Sequence, residues 1–307
     1  MRRVLSWGLG LLVLLLAGVG FWLYAPDKPR AALEAAYAPA PSQFIEILGV
    51  RLHVRDTGPR GAPAVLLIHG FGSSLHTWED VAQGLSDTRR VVRLDLPGFG
   101  LTGADPTDDY TDERAHRILL ALLDQLGIAT ADVVGSSMGG RIAWSLAAAH
   151  PARVRRLVLM APDGFASMGR SYGATPRKPL MAYVLPYTLP EPLLQRMLRS
   201  TYGDPERMTD GVVSRTRDML LAPGVRQAII ERMGDNVLTP PEARLRGLAA
   251  PTLLLWGEKD RAIPVSHAAD YLRELPDARL VALPGIGHVP MEEAPAATVA
   301  AIRAFLD

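Results

Sequence analysis

Apolar positions along the chain fall into three regimes. Residues 4 to 26 carry no charged side chain, and Val4 to Tyr24 is an almost unbroken apolar run. From Phe44 onward, short β-like runs alternate with segments whose apolar positions recur every three or four residues, the rhythm of a mostly parallel sheet with helices on both faces. Ile45 to Leu48 and Arg51 to Arg55 predict an antiparallel pair around Gly49. Val65 to Ile68, Val91 to Leu96, Asp132 to Val134 and Arg156 to Met160 predict further strands, with helices at Leu75 to Leu85, Thr111 to Leu126 and Met138 to Ala149. The rhythm stops at Pro162. Asp163 to Leu248 reads as short helices interrupted by seven prolines, from Pro176 to Pro223. A strand at Thr252 to Trp256 restarts the pattern, followed by a helix near Val265 to Leu275, a strand at Leu280 to Leu283 and a closing helix from Ala296 to Leu306. The implied organisation is an α/β core in two parts, 43–162 and 249–307, split by a helical cap at 163–248 and preceded by an apolar segment at 1–25 and a Pro-rich linker at 26–42.

As a helix, the N-terminal run of about 21 residues would extend about 31 Å, the thickness of a bilayer core. Arg2 and Arg3 precede it, and Trp22 and Tyr24 sit where interfacial aromatics would sit. The expectation is a single-pass N-terminal transmembrane helix and a membrane localisation. A cleaved signal peptide fits less well, because its apolar region is about 7–15 residues long. The first small-x-small sequence, Ala36-Tyr37-Ala38, lies far downstream and is followed by Pro39. Arg2 and Arg3 face Lys28 and Arg30 across the span, so the charge bias only slightly favours a periplasmic or extracellular catalytic domain.

The bulk numbers change this picture little. A chain of 307 residues with a formal net charge of +1 and no long block of either sign gives no footprint for nucleic acid. The absence of cysteine excludes disulfides, thiolate catalysis and thiolate metal sites. Asp95-Leu96-Pro97-Gly98-Phe99-Gly100 lacks the ending of a phosphate loop and reads as a structural turn, so no nucleotide or other cofactor is expected. The histidines and acids show no metal-ligand spacing.

Chemistry concentrates at Gly135-Ser136-Ser137-Met138-Gly139, between a predicted strand and a predicted helix. A nucleophile held at a sharp strand-to-helix bend needs glycine two residues before and two after, where side chains would strike neighbouring backbone. Ser137 has that spacing and Ser136 does not. Three other motifs accompany it: His69-Gly70-Phe71-Gly72, Gly257-Glu258-Lys259-Asp260 and Gly287-His288, each after a predicted strand.

On these four motifs, residues 44 to 307 resemble the α/β-hydrolase superfamily, whose helical cap explains the insertion and whose chain order of serine, acid and histidine is kept. The resemblance implies Ser137 as nucleophile, His288 as its base and Asp260 as the carboxylate orienting His288. Asp163, after the strand following the bend, is the alternative acid. The oxyanion donors implied are the backbone N–H groups of Phe71 and Met138. Of the other histidines, His69 is expected to shape the oxyanion loop, and His76 to be packed or solvated, with a place near the site mouth as the alternative. His53 falls in a strand, His116 and His267 on helix surfaces, and His150 at a helix end.

Serine at the bend argues against haloalkane dehalogenases and epoxide hydrolases, which use aspartate. The plan looks like membrane-anchored monoacylglycerol lipases and related bacterial esterases, implying hydrolysis of lipophilic acyl esters. Apolar cap residues, among them Leu180, Tyr183, Leu193, Met197 and Leu198, either line an acyl cleft or merely dock the cap on the core. One alternative is a hydrolase of carbon–carbon bonds in ring-fission diketones, which typically carries Trp after the catalytic histidine where this chain has Val289. Acyl transfer, and a catalytically inactive binding protein on the same fold, complete the alternatives. The partners implied are a small-molecule or lipid ester and, through the N-terminal helix, a membrane.

Overall fold

The computed structural model describes residue 7, residues 18 and 20, and residues 23–166, 171–174, 178, 180–235 and 237–307. Eight strands form one sheet in the order β1-β2-β4-β3-β5-β6-β7-β8. They are β1 (Ser42–Ile47), β2 (Val50–Thr57), β3 (Ala64–Ile68), β4 (Arg90–Leu94), β5 (Ala131–Ser136), β6 (Val154–Met160), β7 (Thr252–Gly257) and β8 (Ala278–Leu283). Only β2 runs antiparallel to its neighbours, and all pairs from β4 to β8 are parallel.

The helices are α1 (Arg30–Tyr37), α2 (Glu79–Leu85), α3 (Asp112–Gln125), α4 (Met138–Ala149), α5 (Glu191–Arg199), α6 (Asp210–Leu220), α7 (Val225–Asp235), α8 (Glu242–Arg246), α9 (Ala268–Glu274), α10 (Pro290–Glu293) and α11 (Pro295–Leu306). Alternation along the strands decides which helix covers which face. Leu66 and Ile68 of β3 join Ile118 of α3, Ile142 and Trp144 of α4 and Tyr271 of α9 in one core. Val65 and Leu67 join Trp78, Val81 and Leu85 beside α2 and Ile302 and Leu306 of α11 in the other. Between β6 and β7 the described residues hold α5 to α8 and short 3-10 turns, with no strand.

The N-terminal expectation is corrected. Among the described residues no helix is long and apolar enough to cross a membrane, so the single-pass anchor and the membrane localisation built on it are not upheld. Of Val4 to Tyr24 only Trp7, Gly18, Gly20, Leu23 and Tyr24 are described, and the rest of the expected span lies outside the described residues. A span needs about 20 consecutive apolar residues, whereas the first helix described in full, α1, has eight and a polar face.

Residues 26–42, expected as a linker, lie across both parts of the fold. Tyr24 bridges Thr188, and the Ala25 amide donates to Tyr187 O at 2.9 Å. Asp27 pairs with Arg226 at 2.7 Å, and Lys28 and the Tyr37 hydroxyl both reach Asp218 of α6. On the core side, Arg30 donates to Leu101 O, and Tyr37 O accepts from His76 and Arg55.

Candidate active site

Ser137 sits where β5 turns into α4, with φ 53° and ψ −118°. A non-glycine residue with positive φ is strained and persists where its surroundings hold it in place. Here the Ser137 amide donates to Met160 O at 2.9 Å, while its carbonyl accepts from Arg141 and Asp163 amides at 3.1 and 3.0 Å. The flanking glycines are required by contact: a Cβ on Gly135 would lie 2.3 Å from Gly139 O, and one on Gly139 would lie 2.3 Å from Ile68 O. Helix α4 starts at Met138, so its unpaired amides and partial positive charge face the serine.

His288 lies between β8 and α10, its amide donating to Thr201 O at 2.6 Å. Its Nδ1 is 2.7 Å from Asp260 Oδ2. The other oxygen of buried Asp260 accepts the amides of Ala262 and Ile263 at 2.8 and 2.9 Å, which fixes the carboxylate before histidine docks on it. Asp163, the alternative acid, instead places its carboxylate 3.6 Å from Arg141 Nε, and its carbonyl accepts from Trp144 and Tyr271.

The loop carrying Phe71 is held by His69. This fully buried ring has Nδ1 2.7 Å from Gly70 O and accepts the Leu96 amide on Nε2 at 3.0 Å, which defines a neutral ring protonated on Nδ1. Burial also lowers its pKa. A Cβ on Gly70 would stand 3.3 Å from Ser137 Cβ, so glycine keeps this loop against the serine. The Phe71 and Met138 amides donate to no backbone carbonyl among the described residues.

Ser137, His288, Gly70 and Phe71 line one cleft of about 120 Å³ between core and cap, closed by Leu198 of α5, by Thr201 and Tyr202 in the turn after it, and by Val212 and Thr216 of α6. Of the apolar cap residues expected there, Leu198 lines it. Leu180, Tyr183, Leu193 and Met197 are exposed, and Leu193 and Met197 instead border a separate apolar groove with Leu23 and Tyr24. The reason is helical periodicity: the same α5 turns one face to the cleft and another outward.

His116 is also corrected. It is buried, with Nε2 2.9 Å from Ser145 Oγ, not on the surface of α3. His76 is packed in the interior, with Nε2 2.8 Å from Tyr37 O. Three charged residues at the site were not read from the sequence. Glu292 and Glu293 follow His288 by four and five positions, a spacing that was visible, but the partners of Glu292 and two of the three of Glu293 are on the cap. Arg232 of α7 is buried beside the candidate oxyanion residue, with Nη1 3.5 Å from Met138 Sδ and Nη2 donating to Pro97 O at 3.1 Å. Burial pulls it down to about 10.

Residues 63–295 match the family described as the alpha/beta hydrolase fold. The chain is 32% identical over 268 residues to 2-hydroxymuconate semialdehyde hydrolase of Pseudomonas putida, covering 81% of this chain and 90% of that protein. It is 31% identical over 276 residues to the dihydrolipoyllysine-residue acetyltransferase component of the acetoin cleaving system of Pseudomonas putida, covering 89% of this chain and 71% of that protein. Among solved structures, a membrane phospholipase A described as a bacterial virulence factor aligns with a TM-score of 0.76 and 28% identity, covering 100% of this chain and 98% of that one. The chain belongs to the α/β-hydrolase family.

Proposed function

We propose that this hydrolase is a serine enzyme that cleaves carboxylic esters of lipophilic acyl groups through an acyl-enzyme on Ser137. The observation that carries the reading is the 2.7 Å contact of His288 Nδ1 with Asp260, made by a ring that lines the same cleft as Ser137. Nδ1–H donates to Asp260, leaving Nε2 as the acceptor for the Ser137 proton. Ser137 Oγ adds to the ester carbon, and the Phe71 and Met138 amides meet the oxyanion. The protonated His288 returns the proton to the departing alkoxide as the C–O bond breaks. Water then repeats the sequence on the acyl-enzyme, releasing the acid and restoring the serine. Apolar walls from Phe71, Leu198, Val212, Val289 and Met291 support a lipophilic acyl group.

A fluorophosphonate probe tests this: it should label the protein at Ser137, and Ser137→Ala should lose both labelling and ester turnover while remaining folded. Labelling of that variant at another serine overturns the assignment. Carbon–carbon hydrolysis is the second reading, favoured by the 32% identical 2-hydroxymuconate semialdehyde hydrolase. Assay of a ring-fission diketone beside p-nitrophenyl esters and monoacylglycerols separates the two.

A further inference from the structure

Among the described residues lining the cleft, Glu292 is the only acid, and none is lysine or arginine. It follows His288 by four positions, on the short helix α10. One of its oxygens accepts from Arg215 of α6, and the other accepts the Tyr202 hydroxyl at 2.9 Å. The Arg215 guanidinium is therefore committed to Glu292, and of the pair only Glu292 lines the cavity. Burial and the neighbouring Glu292 raise the Tyr202 pKa, so its hydroxyl remains a donor to the carboxylate. Each Glu292 oxygen keeps a second lone pair, and the same walls carry the hydroxyls of Ser73, Thr77, Thr201 and Thr216.

Resting on the proposed ester hydrolysis, we propose that Glu292 makes this a cleft for uncharged, hydroxyl-bearing esters and turns away substrates that carry a carboxylate or phosphate. A hydroxyl on the substrate donates to Glu292 as Tyr202 does. An anion would meet the carboxylate end of the Glu292–Arg215 pair in a partly desolvated space, where the nearer like charge repels it more than the guanidinium behind it attracts it. Carboxylate-bearing diketones and phosphodiester lipids are both disfavoured on this ground.

Two matched pairs of soluble esters test the assignment on the full chain: 1-butyrylglycerol against O-butyryl lactate, and p-nitrophenyl butyrate against p-nitrophenyl hemisuccinate. The wild type should favour the neutral member by about tenfold or more in kcat/KM. Glu292→Gln keeps the shape, removes the charge and frees Arg215, so both preferences should fall by about tenfold. Adding Arg215→Gln to that variant should remove only the share owed to the freed guanidinium: with the carboxylate gone, the double variant should still turn over the anionic members better than the wild type, and a return to the wild-type preference overturns repulsion by Glu292. Equal turnover of both members by the wild type, or preferences unchanged in a folded Glu292→Gln variant, overturns the inference while Ser137 labelling leaves the proposed function standing. Loss of both labelling and all ester turnover in the wild type overturns the two together.

Discussion

Glu293 Oε2 lies 2.7 Å from the amide nitrogen of Gly287, the residue before His288. The same buried carboxylate accepts the amides of Gly203 and Asp204 at 2.9 and 2.8 Å. One side chain thus fastens the histidine loop to the cap segment between α5 and α6, and His288 N donating to Thr201 O adds a fourth tie. Glu293→Ala leaves three amides without their acceptor, and should cost about 3 kcal/mol of stability. The variant should also lose about tenfold or more in kcat as His288 loses its place. Denaturation midpoints and ester kinetics measured together check this. A variant with unaltered kcat shows that the loop holds its position without Glu293.

Asp260→Asn should leave the fold nearly intact and lower turnover by about three to four orders of magnitude, because the amide favours the wrong imidazole tautomer. Asp163→Asn serves as the comparison. Steady-state kinetics of both decide between them: the larger loss in the Asp163 variant would reassign the acid.

Burial pulls His76 down to about 4, against the opposing pull of Asp95 and Tyr37 O. The unfolded imidazole titrates near about 6.5, so between these values the unfolded chain binds a proton that the folded chain does not. Stability is complete above about pH 6.5 and falls as pH drops toward 4, by about 2 kcal/mol at pH 5 from this group alone. Buried His69 adds a loss of the same sign. Urea midpoints at pH 7 and pH 5 should differ less in His76→Gln than in the wild type. An equal difference in both proteins removes His76 from the account.

Gly139→Ala would set a Cβ 2.3 Å from Ile68 O and 2.5 Å from His69 O. The backbone of β3 or α4 must shift, so a destabilisation of about 3 kcal/mol or more is expected. Gly127→Ala is a control without the clash, since no atom lies within 4 Å of the added Cβ, although its φ of 68° still favours glycine. Thermal unfolding of the two variants should separate contact from backbone strain.

Much of the core was legible because its signals are local. The apolar run at Ala64–Ile68 and the glycine spacing around Ser137 each express a constraint that acts within a few residues. The helix beginning at Met138 starts where its pattern starts. What escaped depends on partners distant in the chain. His116 looks like a surface residue until Ser145 is brought against it. Glu292 and Glu293 look like an ordinary acidic first turn until Tyr202, Gly203 and Arg215 arrive 77 to 90 positions away in sequence. The outward faces of the cap were unreadable for a related reason: a short amphipathic helix does not declare which neighbour its apolar stripe will meet.

The residues that tie α1 to the cap are separated widely in synthesis. Lys28 precedes its partner Asp218 by 190 positions, and Asp27 precedes Arg226 by 199. An eight-residue helix is too short to persist alone in water. As the chain emerges from the ribosome, α1 can meet Arg51, Arg55 and His76 of the core early, whereas Asp27 and Lys28 before it wait through most of translation for their cap partners, and closing so large a loop carries a chain-entropy cost that only an already folded cap can offset. The contacts of Asp27 and Lys28 with the cap should be among the last to form, and removing them should speed unfolding while leaving the folding rate nearly unchanged.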